Sequence, residues 1–104
     1  MSSPQNLKHD LPLVLAALDN PHRLRIIAAL RGKNNYVSQL ARDLNISRPL
    51  LIMHLKKLED AGLISSELEV SADGKAMRFY ELNAFEIHLT PDEITKAAGR
   101  LPKD

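Results

Sequence analysis

Cysteine is absent from the 104 residues of this chain, and several kinds of chemistry are absent with it. Without a thiol the protein has no disulfide, no thiolate metal ligand and no thiol nucleophile or redox switch. No apolar run approaches the roughly 18 residues that a membrane-spanning helix needs. The sequence also lacks a glycine-rich phosphate loop and a nucleophile motif with an evident base. These absences argue against an enzyme and against a membrane protein.

A surplus of charge of either sign is missing as well. The formal net charge is +1, from 14 lysines and arginines against 13 acidic residues. A balanced total does not by itself indicate a nucleic-acid partner, so the placement of the basic residues has to decide. The N-terminal stretch MSSPQNLKHDLPLVLAAL has no basic region followed by an apolar run and a cleavage site. We therefore expect a cytoplasmic protein.

What the sequence does contain is a series of short helices, enough for one domain. Apolar spacing predicts a first helix over 7–19, and Asn20 followed by Pro21 predicts the start of a second. The stretch KNNYV is predicted to be a turn. Ser38 is then expected to cap a short third helix, which Asn45 ends because asparagine tolerates the left-handed conformation.

A fourth helix and a change of period follow. Ser47 can cap this helix and Gly62 can end it. Beyond it, LISSELEV and AMRFYELN have the length and composition of strands, and the Asp73-Gly74 pair between them is a strong hairpin signal. The alternating stretch AFEIHL predicts a third strand. A capping box with proline at the first position opens a last helix over 90–101.

The order of these elements is that of a winged helix-turn-helix domain, with the helix-turn-helix over 38–61 and the wing over 63–83. Four stretches resemble, in order and spacing, the core of the ArsR-type winged-helix transcriptional regulators: LDNPHRLRIIAAL, VSQLARDLNIS, HLKKLEDAGLI and GKAMRFYEL. The resemblance covers roughly residues 18–82. It implies an α+β, mainly α fold for residues 1–104, with a three-helix core, a β-hairpin wing and flanking N- and C-terminal helices.

The same resemblance implies a sequence-specific regulator of transcription that binds double-stranded DNA as a homodimer. The recognition helix, 47–61, would enter the major groove, and the wing, 70–78, would lie on the backbone. The leucine-rich first helix and the small residues Ala97 and Ala98 of the last one are consistent with a dimer interface through the flanking helices, 7–19 and 90–101. Burial of those leucines within one protomer is the alternative.

Helical spacing divides the recognition helix into two faces. Leu51, Leu55 and Leu58 are expected in the core, together with Ile52. The other face, which includes Ala61, is expected to lie in the groove. The predicted DNA contacts come from this face, from the starts of the third and fourth helices and from the wing: Ser38, Gln39, Ser47, Arg48, Leu50, Met53, His54, Lys56, Lys57, Lys75 and Arg78.

The roles of these residues differ. Arg48 is expected to carry most of the base reading, with His54 and Lys57 as helpers. Phosphate contacts are expected from Ser38, Gln39, Lys56 or Lys57, Lys75 and Arg78. His54 is also open to a structural, hydrogen-bonded interpretation, because it lies close to the core leucines. Arg23 and the other basic residues of the second helix are assigned to surface and scaffold.

Leu50 and Met53 leave a second interpretation open. An apolar side chain can contact a thymine methyl group, but it cannot make the bidentate hydrogen bonds that discriminate bases. The chain could instead be a winged-helix module that binds another protein through the apolar face around Leu50 and Met53. DNA is favoured if one continuous face holds the basic residues, and a protein partner if acidic residues surround the apolar patch.

Metal sensing is a known property of the family that this chain resembles, through cysteines on the third helix or through Asp, His and Glu on the last. The first kind of site is excluded because VSQLARDL has no thiolate. The last helix offers Asp92 and Glu93, with His88 before it, but no histidine of its own. We therefore expect no metal and no cofactor, and the sequence leaves a small-molecule effector unknown.

Overall fold

The computed structural model of the chain describes residues 5–6 and 10–103. Along the chain the elements are β1 (Gln5–Asn6), α1 (Leu11–Leu18), α2 (Pro21–Gly32), β2 (Asn35–Tyr36), α3 (Val37–Leu44), α4 (Arg48–Asp60), β3 (Ile64–Val70), β4 (Ala76–Leu82), β5 (Phe85–Glu86) and α5 (Pro91–Gly99). These elements confirm the predicted mainly helical α+β fold with a wing. The predicted first turn of helix one, residues 7–9, lies outside the described residues.

The core lies between the first four helices and the base of the wing. Leu51, Leu55 and Leu58 of α4 are fully buried, which confirms the stripe that helical spacing predicted. They pack with side chains from α1, α2 and α3 and from the first strand of the wing, among them Val14, Ile26, Leu40 and Ile64. The recognition helix is thus held in place along its inner side by the core.

Side-chain caps begin three of the helices where the sequence predicted them. The Asn20 side chain accepts a hydrogen bond from the backbone N–H of His22 at 2.8 Å, before α2. Ser47 accepts one from Leu50 at 3.4 Å, before α4. Thr90 accepts one from Glu93 at 3.1 Å, before α5. Each cap satisfies a donor that the first turn of a helix leaves unpaired.

The predicted cap at Ser38 is wrong, and so is the turn over KNNYV. Within that stretch Asn35 and Tyr36 form β2, which pairs with β4 in antiparallel register. The extended chain runs directly into α3, whose first residue is Val37, so Ser38 lies inside the first turn. A two-residue strand is too short to produce a period that the sequence could reveal.

Two positive φ angles end the helices of the helix-turn-helix. Asn45 adopts the left-handed conformation, with φ 52° and ψ 52°, and ends α3 as predicted. Gly62 has a φ of 79°, and the backbone N–H of Leu63 behind it bonds to the carbonyl of Leu58 at 3.0 Å. This is the expected glycine C-cap. Both turns are fixed by local backbone chemistry.

The wing is the predicted hairpin. Strands β3 and β4 pair antiparallel from Ile64 opposite Leu82 to Val70 opposite Ala76, and Gly74 in the turn has a φ of 82°. The sheet order is β2-β4-β3, so β2 pairs with the edge of β4 that faces away from β3. The predicted third strand is limited to β5, which pairs in parallel with β1 and not with the wing.

The last helix, α5, packs against α1, and Ala97 is its one buried residue. Its remaining apolar side chains lie on the surface, and Ile94 is 49% exposed. In the described part of the chain, no helix has the length and apolar character needed to cross a membrane.

Candidate nucleic-acid interface

A cleft of about 490 Å³ separates the wing from the first two turns of α4. We call it the wing cleft. Its lining includes Ser38 from α3, Arg48 and Ile52 from α4, and Lys75, Arg78 and Tyr80 from the wing. Three of the predicted DNA-contacting cations therefore share one concave surface, although they come from two elements far apart in the sequence.

A second, more open hollow adjoins the start of α4. Its lining includes Ser38, Arg42, Asn45, Ser47 and Arg48. Arg48 belongs to both surfaces, because the turn between α3 and α4 brings the start of one helix close to the start of the other. Predicted contacts at Ser38, Ser47 and Arg48 are thus neighbours in space.

Hydrogen bonds link the wing to α4 and hold Arg78. The Ser66 hydroxyl on β3 donates to a carboxylate oxygen of Glu59 on α4 at 2.9 Å. The same hydroxyl oxygen accepts from Nη1 of Arg78 at 3.0 Å. This series of hydrogen bonds runs from Arg78 on β4 through Ser66 to Glu59 on the recognition helix. It holds the guanidinium of Arg78 beside the wing cleft.

Two carboxylates of the wing are engaged by hydrogen bonds. The Tyr36 hydroxyl donates to Glu69 at 2.6 Å, and this bond raises the pKa of Tyr36. At the tip, the Asp73 carboxylate accepts hydrogen bonds from the Ser71 hydroxyl and the Lys75 backbone N–H, which lower the pKa of Asp73. These acids organise the wing, and the Lys75 side chain lines the cleft.

The outward side of α4 is more apolar than the sequence indicated. Leu50 is 38% exposed, and Ile52 and Met53 are each 47% exposed. The prediction that Ile52 belongs to the core is wrong. At about 100° per residue, Ile52 is turned away from the stripe of Leu51, Leu55 and Leu58 and toward the wing.

The two lysines of α4 lie on different sides of it. Lys56 is on the outward side and forms an exposed ion pair with Asp60 at 3.4 Å. Lys57 lines a small hollow of about 160 Å³ on the opposite flank, beside Leu13 and Ala17 of α1. Lys57 is therefore separated from the wing cleft by the width of the helix. The side chain of Gln39, also a predicted contact, bonds to Asp43 at 2.8 Å on α3.

The predicted DNA contact at His54 is wrong, and Ala61 does not face the groove either. Their exposed fractions are only 3% each. Helix α1 packs against α4, and His54 contacts His22 and Arg23 of α2. Periodicity within α4 cannot reveal which flank a neighbouring helix covers.

His54 is instead part of a buried polar cluster with Arg23. The Arg23 guanidinium donates from Nη1 to Nδ1 of His54 at 3.0 Å, from Nε to the carbonyl of Ala17 at 2.6 Å and from Nη2 to that of Ala16 at 3.2 Å. The expected scaffold role of Arg23 is confirmed. Burial lowers the pKa of His54, and the positive charges of Arg23, His22 and Lys57 lower it further.

Ile52 and Tyr36 line the wing cleft although neither was among the predicted contacts. Ile52 was assigned to the core because it is apolar and lies beside core leucines. Its apolar character does not reveal whether the side chain faces the core or the cleft. Tyr36 lies in a two-residue strand, and its ring contacts Phe79 edge-on at 5.1 Å between centroids. Only the pairing of β2 with β4 brings Tyr36 beside the wing.

Among the described residues, no three His, Cys, Asp or Glu side chains are grouped so that they could hold a metal ion. The absence of a metal and of a cofactor stays a prediction, as do the individual DNA contacts outside His54.

Comparison with known proteins agrees with this architecture. The model of the arsR family of bacterial regulatory proteins matches residues 20–66, from the cap of α2 to the first residues of β3. An uncharacterized HTH-type transcriptional regulator of Methanocaldococcus jannaschii is 38% identical over 80 residues, which are 77% of this chain and 83% of that protein.

Solved structures show the same fold. HlyU from Vibrio cholerae superposes with a TM-score of 0.59 at 24% identity, over 85% of this chain and 84% of that one. A homodimeric winged helix-turn-helix DNA-binding domain from Mycobacterium bovis superposes with a TM-score of 0.61 at 23% identity, over 79% of this chain and 75% of that one.

Proposed function

Because the chain belongs to the arsR family of bacterial regulatory proteins, we propose that it is a regulator of transcription that acts as a homodimer on specific sites in double-stranded DNA. The family and the relative are those of regulators and not of enzymes. In the proposed complex α4 enters the major groove and the wing lies along the backbone.

The observation that carries this proposal is the convergence of Arg48, Lys75 and Arg78 on the wing cleft. A net charge of +1 gives little long-range attraction, so DNA binding depends on cations gathered on one surface. The cleft gathers them between the helix and the hairpin, where a phosphate backbone beside a major groove would pass.

The side chains divide into two roles by position. Arg48 and Ser47 at the start of α4, with Leu50 and Met53, are placed for base edges. Phosphate contacts are assigned to the residues around the cleft and on the outward surfaces of α3 and α4: Ser38, Gln39, Lys56, Lys75 and Arg78. Lys57 is at most a peripheral contact, because it lies on the flank beside α1.

The dimer is proposed to form through α1 and α5. Apolar side chains remain exposed on these helices and just beyond α5, at 47% for Leu13, 49% for Ile94 and 51% for Leu101. Joining two copies there would bury this surface and present two recognition helices to successive turns of the same face of the duplex. The homodimeric state of the Mycobacterium bovis domain agrees with this arrangement.

The proposal is tested by fluorescence anisotropy of the chain with mixed-sequence duplex DNA, from about 50 to about 300 mM salt. If about six phosphates are neutralised per dimer, the logarithm of the binding constant falls against that of the salt concentration with a slope of about −5. Arg78→Ala removes one contact per protomer, so the slope becomes shallower by nearly 2.

The matched control is Arg25→Ala, which removes the same charge from an exposed position on α2. Its slope should equal that of the parent chain. An equal change in both variants would mean that only net charge matters. Absence of binding even at the lowest salt would contradict the proposal.

The second candidate function is a protein-binding module, favoured by the exposed apolar side chains Leu50, Ile52 and Met53. It ranks second because two cations, Arg48 and Lys56, lie one helical turn before and one turn after Ile52. A chain that binds no duplex at the lowest salt would bring this candidate forward.

A further inference from the structure

Ile52 and Met53 present an apolar surface at the centre of the proposed DNA-binding side of α4. About half of each side chain stays in water, so neither contributes fully to the core. Arg48 lies one helical turn before Ile52, and Lys56 lies one turn after it. Because Arg48 is assigned to a base edge and Lys56 to a phosphate, the apolar surface between them would also lie in the groove, against base edges.

The recognition helix also lacks the side chains that read adenine by hydrogen bonding. Over Arg48–Asp60 it has no asparagine, glutamine, serine or threonine, whereas adenine is read by a bidentate contact from asparagine or glutamine. The hydroxyl of Ser47 accepts from the Leu50 backbone. Arg48 can read guanine, but nothing on this helix can hydrogen-bond adenine in that way.

The acidic residues of α4 are engaged elsewhere. Glu59 accepts the hydrogen bond from Ser66 on the wing, and Asp60 pairs with Lys56. An acidic side chain that accepts from cytosine would have to give up these contacts. Lys56 is assigned to a phosphate and Lys57 lies on the flank beside α1, so hydrogen-bond reading by α4 is assigned to Arg48.

The major-groove edge of DNA carries one apolar group, the C5-methyl of thymine. An apolar side chain gains from burying that methyl and gains nothing from an amino or carbonyl group in its place. Ile52 lies toward the wing, and Met53 lies about 100° further around the helix. Two side chains at that angle would reach different base pairs.

We propose that Ile52 and Met53 read thymine C5-methyl groups, so that A·T pairs in the target site are recognised by a methyl contact and not by hydrogen bonds to adenine. This inference rests on the proposed function as a DNA-binding regulator. It predicts two kinds of specified position in each half-site, a guanine read by Arg48 and thymines read by Ile52 and Met53.

The test begins by selecting tight sites from a randomised duplex with the full chain. Each thymine of a selected site is then replaced by deoxyuridine, which keeps charge and hydrogen-bonding groups but lacks the methyl. The affinity is expected to fall about fourfold at each contacted thymine, the equivalent of one buried methyl group. Replacement of the same thymine in both half-sites should cost roughly fifteenfold, since the two losses multiply.

Substitutions then assign each methyl to a side chain. In Ile52→Ala the preference for thymine over deoxyuridine should vanish at one position per half-site, and in Met53→Ala at another. Lys56→Ala is the matched control, because it shortens an exposed side chain of the same helix without removing apolar surface from the proposed contact. It should weaken binding overall and leave each preference unchanged. Circular dichroism checks that all variants keep the fold.

Three results would overturn the inference. The first is a selected site in which deoxyuridine replaces every thymine without loss. The second is a thymine preference that survives both Ile52→Ala and Met53→Ala. In both cases the proposed function stands while the inference falls. The third is failure to enrich any duplex, which overturns the proposed function and this inference together.

Discussion

The side chain of Arg23 caps the end of α1 with more than one hydrogen bond. Its guanidinium bonds two carbonyls at the end of α1 and the imidazole of His54 on α4. The last carbonyls of a helix have no partner within it, so a buried arginine that reaches them replaces the water they would otherwise need. The recognition helix is thereby tied to α1 by a polar contact as well as by the core.

The same cluster makes stability depend on pH through His54. Burial and then the charge of Arg23 lower the pKa of His54 below its ordinary value of 6.5. The unfolded chain therefore takes up a proton at a higher pH than the folded one. Stability from this group is complete above about pH 6.5 and declines as the pH falls from there toward the lowered pKa.

We expect the urea midpoint to fall between pH 7 and pH 5, and to fall less in His54→Gln, because glutamine cannot be protonated in this range. Urea unfolding of both proteins across this range measures the effect. The difference between the two curves isolates His54 from the other histidines. Parallel curves would contradict the prediction, because they would mean that folding does not lower the pKa of His54.

At the scale of single elements, local sequence signals predicted most helix ends. Tertiary contacts determine the others, which the sequence did not reveal. The caps at Asn20, Ser47 and Thr90 and the left-handed stop at Asn45 depend on a few neighbouring atoms, so the sequence could specify them. The start of α3 could not be predicted, because the pairing of Tyr36 with Phe79 of β4 brings extended chain up to Val37.

The recognition helix illustrates the same limit in the candidate site. Its core stripe could be predicted from spacing alone, and so could the position of Arg48 at its start. The directions of Ile52 and His54 could not, because they depend on α1 covering one flank of α4 while the wing leaves the other open. Helical spacing fixes relative angles, and only the neighbouring elements fix what each angle faces.

The turn between α3 and α4 offers a test of how local chemistry sets an element. Asn45 has a φ of 52°. In this region the β-carbon of most residues costs about 1 to 2 kcal/mol. Glycine avoids the cost because it has no β-carbon, and asparagine and aspartate are tolerated because their side chains can hydrogen-bond locally. Asn45→Ala should lower the free energy of unfolding by about 1 kcal/mol relative to Asn45→Gly.

Chemical denaturation of the two variants measures this difference. Asn45 is exposed, so neither substitution removes buried side-chain contacts. Equal stabilities would mean that the turn relaxes out of the left-handed region when alanine replaces asparagine.

At the scale of the whole molecule, two groups of exposed apolar residues are assigned separate roles. One group, on α4, belongs to the proposed DNA surface. The other, around α1 and α5, is the proposed dimer surface. A substitution in the second group should therefore change assembly first, and DNA binding only as a consequence.

Ile94→Glu places a charge on the surface of α5, where the proposed dimer would bury it unpaired. We expect a monomer by analytical ultracentrifugation and a large loss of affinity for a two-half-site duplex, because the second half-site is no longer linked to the first. Leu24→Glu is the control, since Leu24 is 53% exposed on α2. A dimeric Ile94→Glu chain would move the interface elsewhere.

The attachment of the wing has a consequence for how target sites can diverge. Strand β2 runs straight into α3 and pairs with β4, while the chain Arg78, Ser66, Glu59 joins the hairpin to α4. The recognition helix and the wing are therefore one unit, and in the proposed complex its contacts with DNA would change only through its own side chains. In the proposed dimer, the surface around α1 and α5 would set the distance between the two half-sites. Substitutions there would change this distance and leave the sequence of each half-site unchanged.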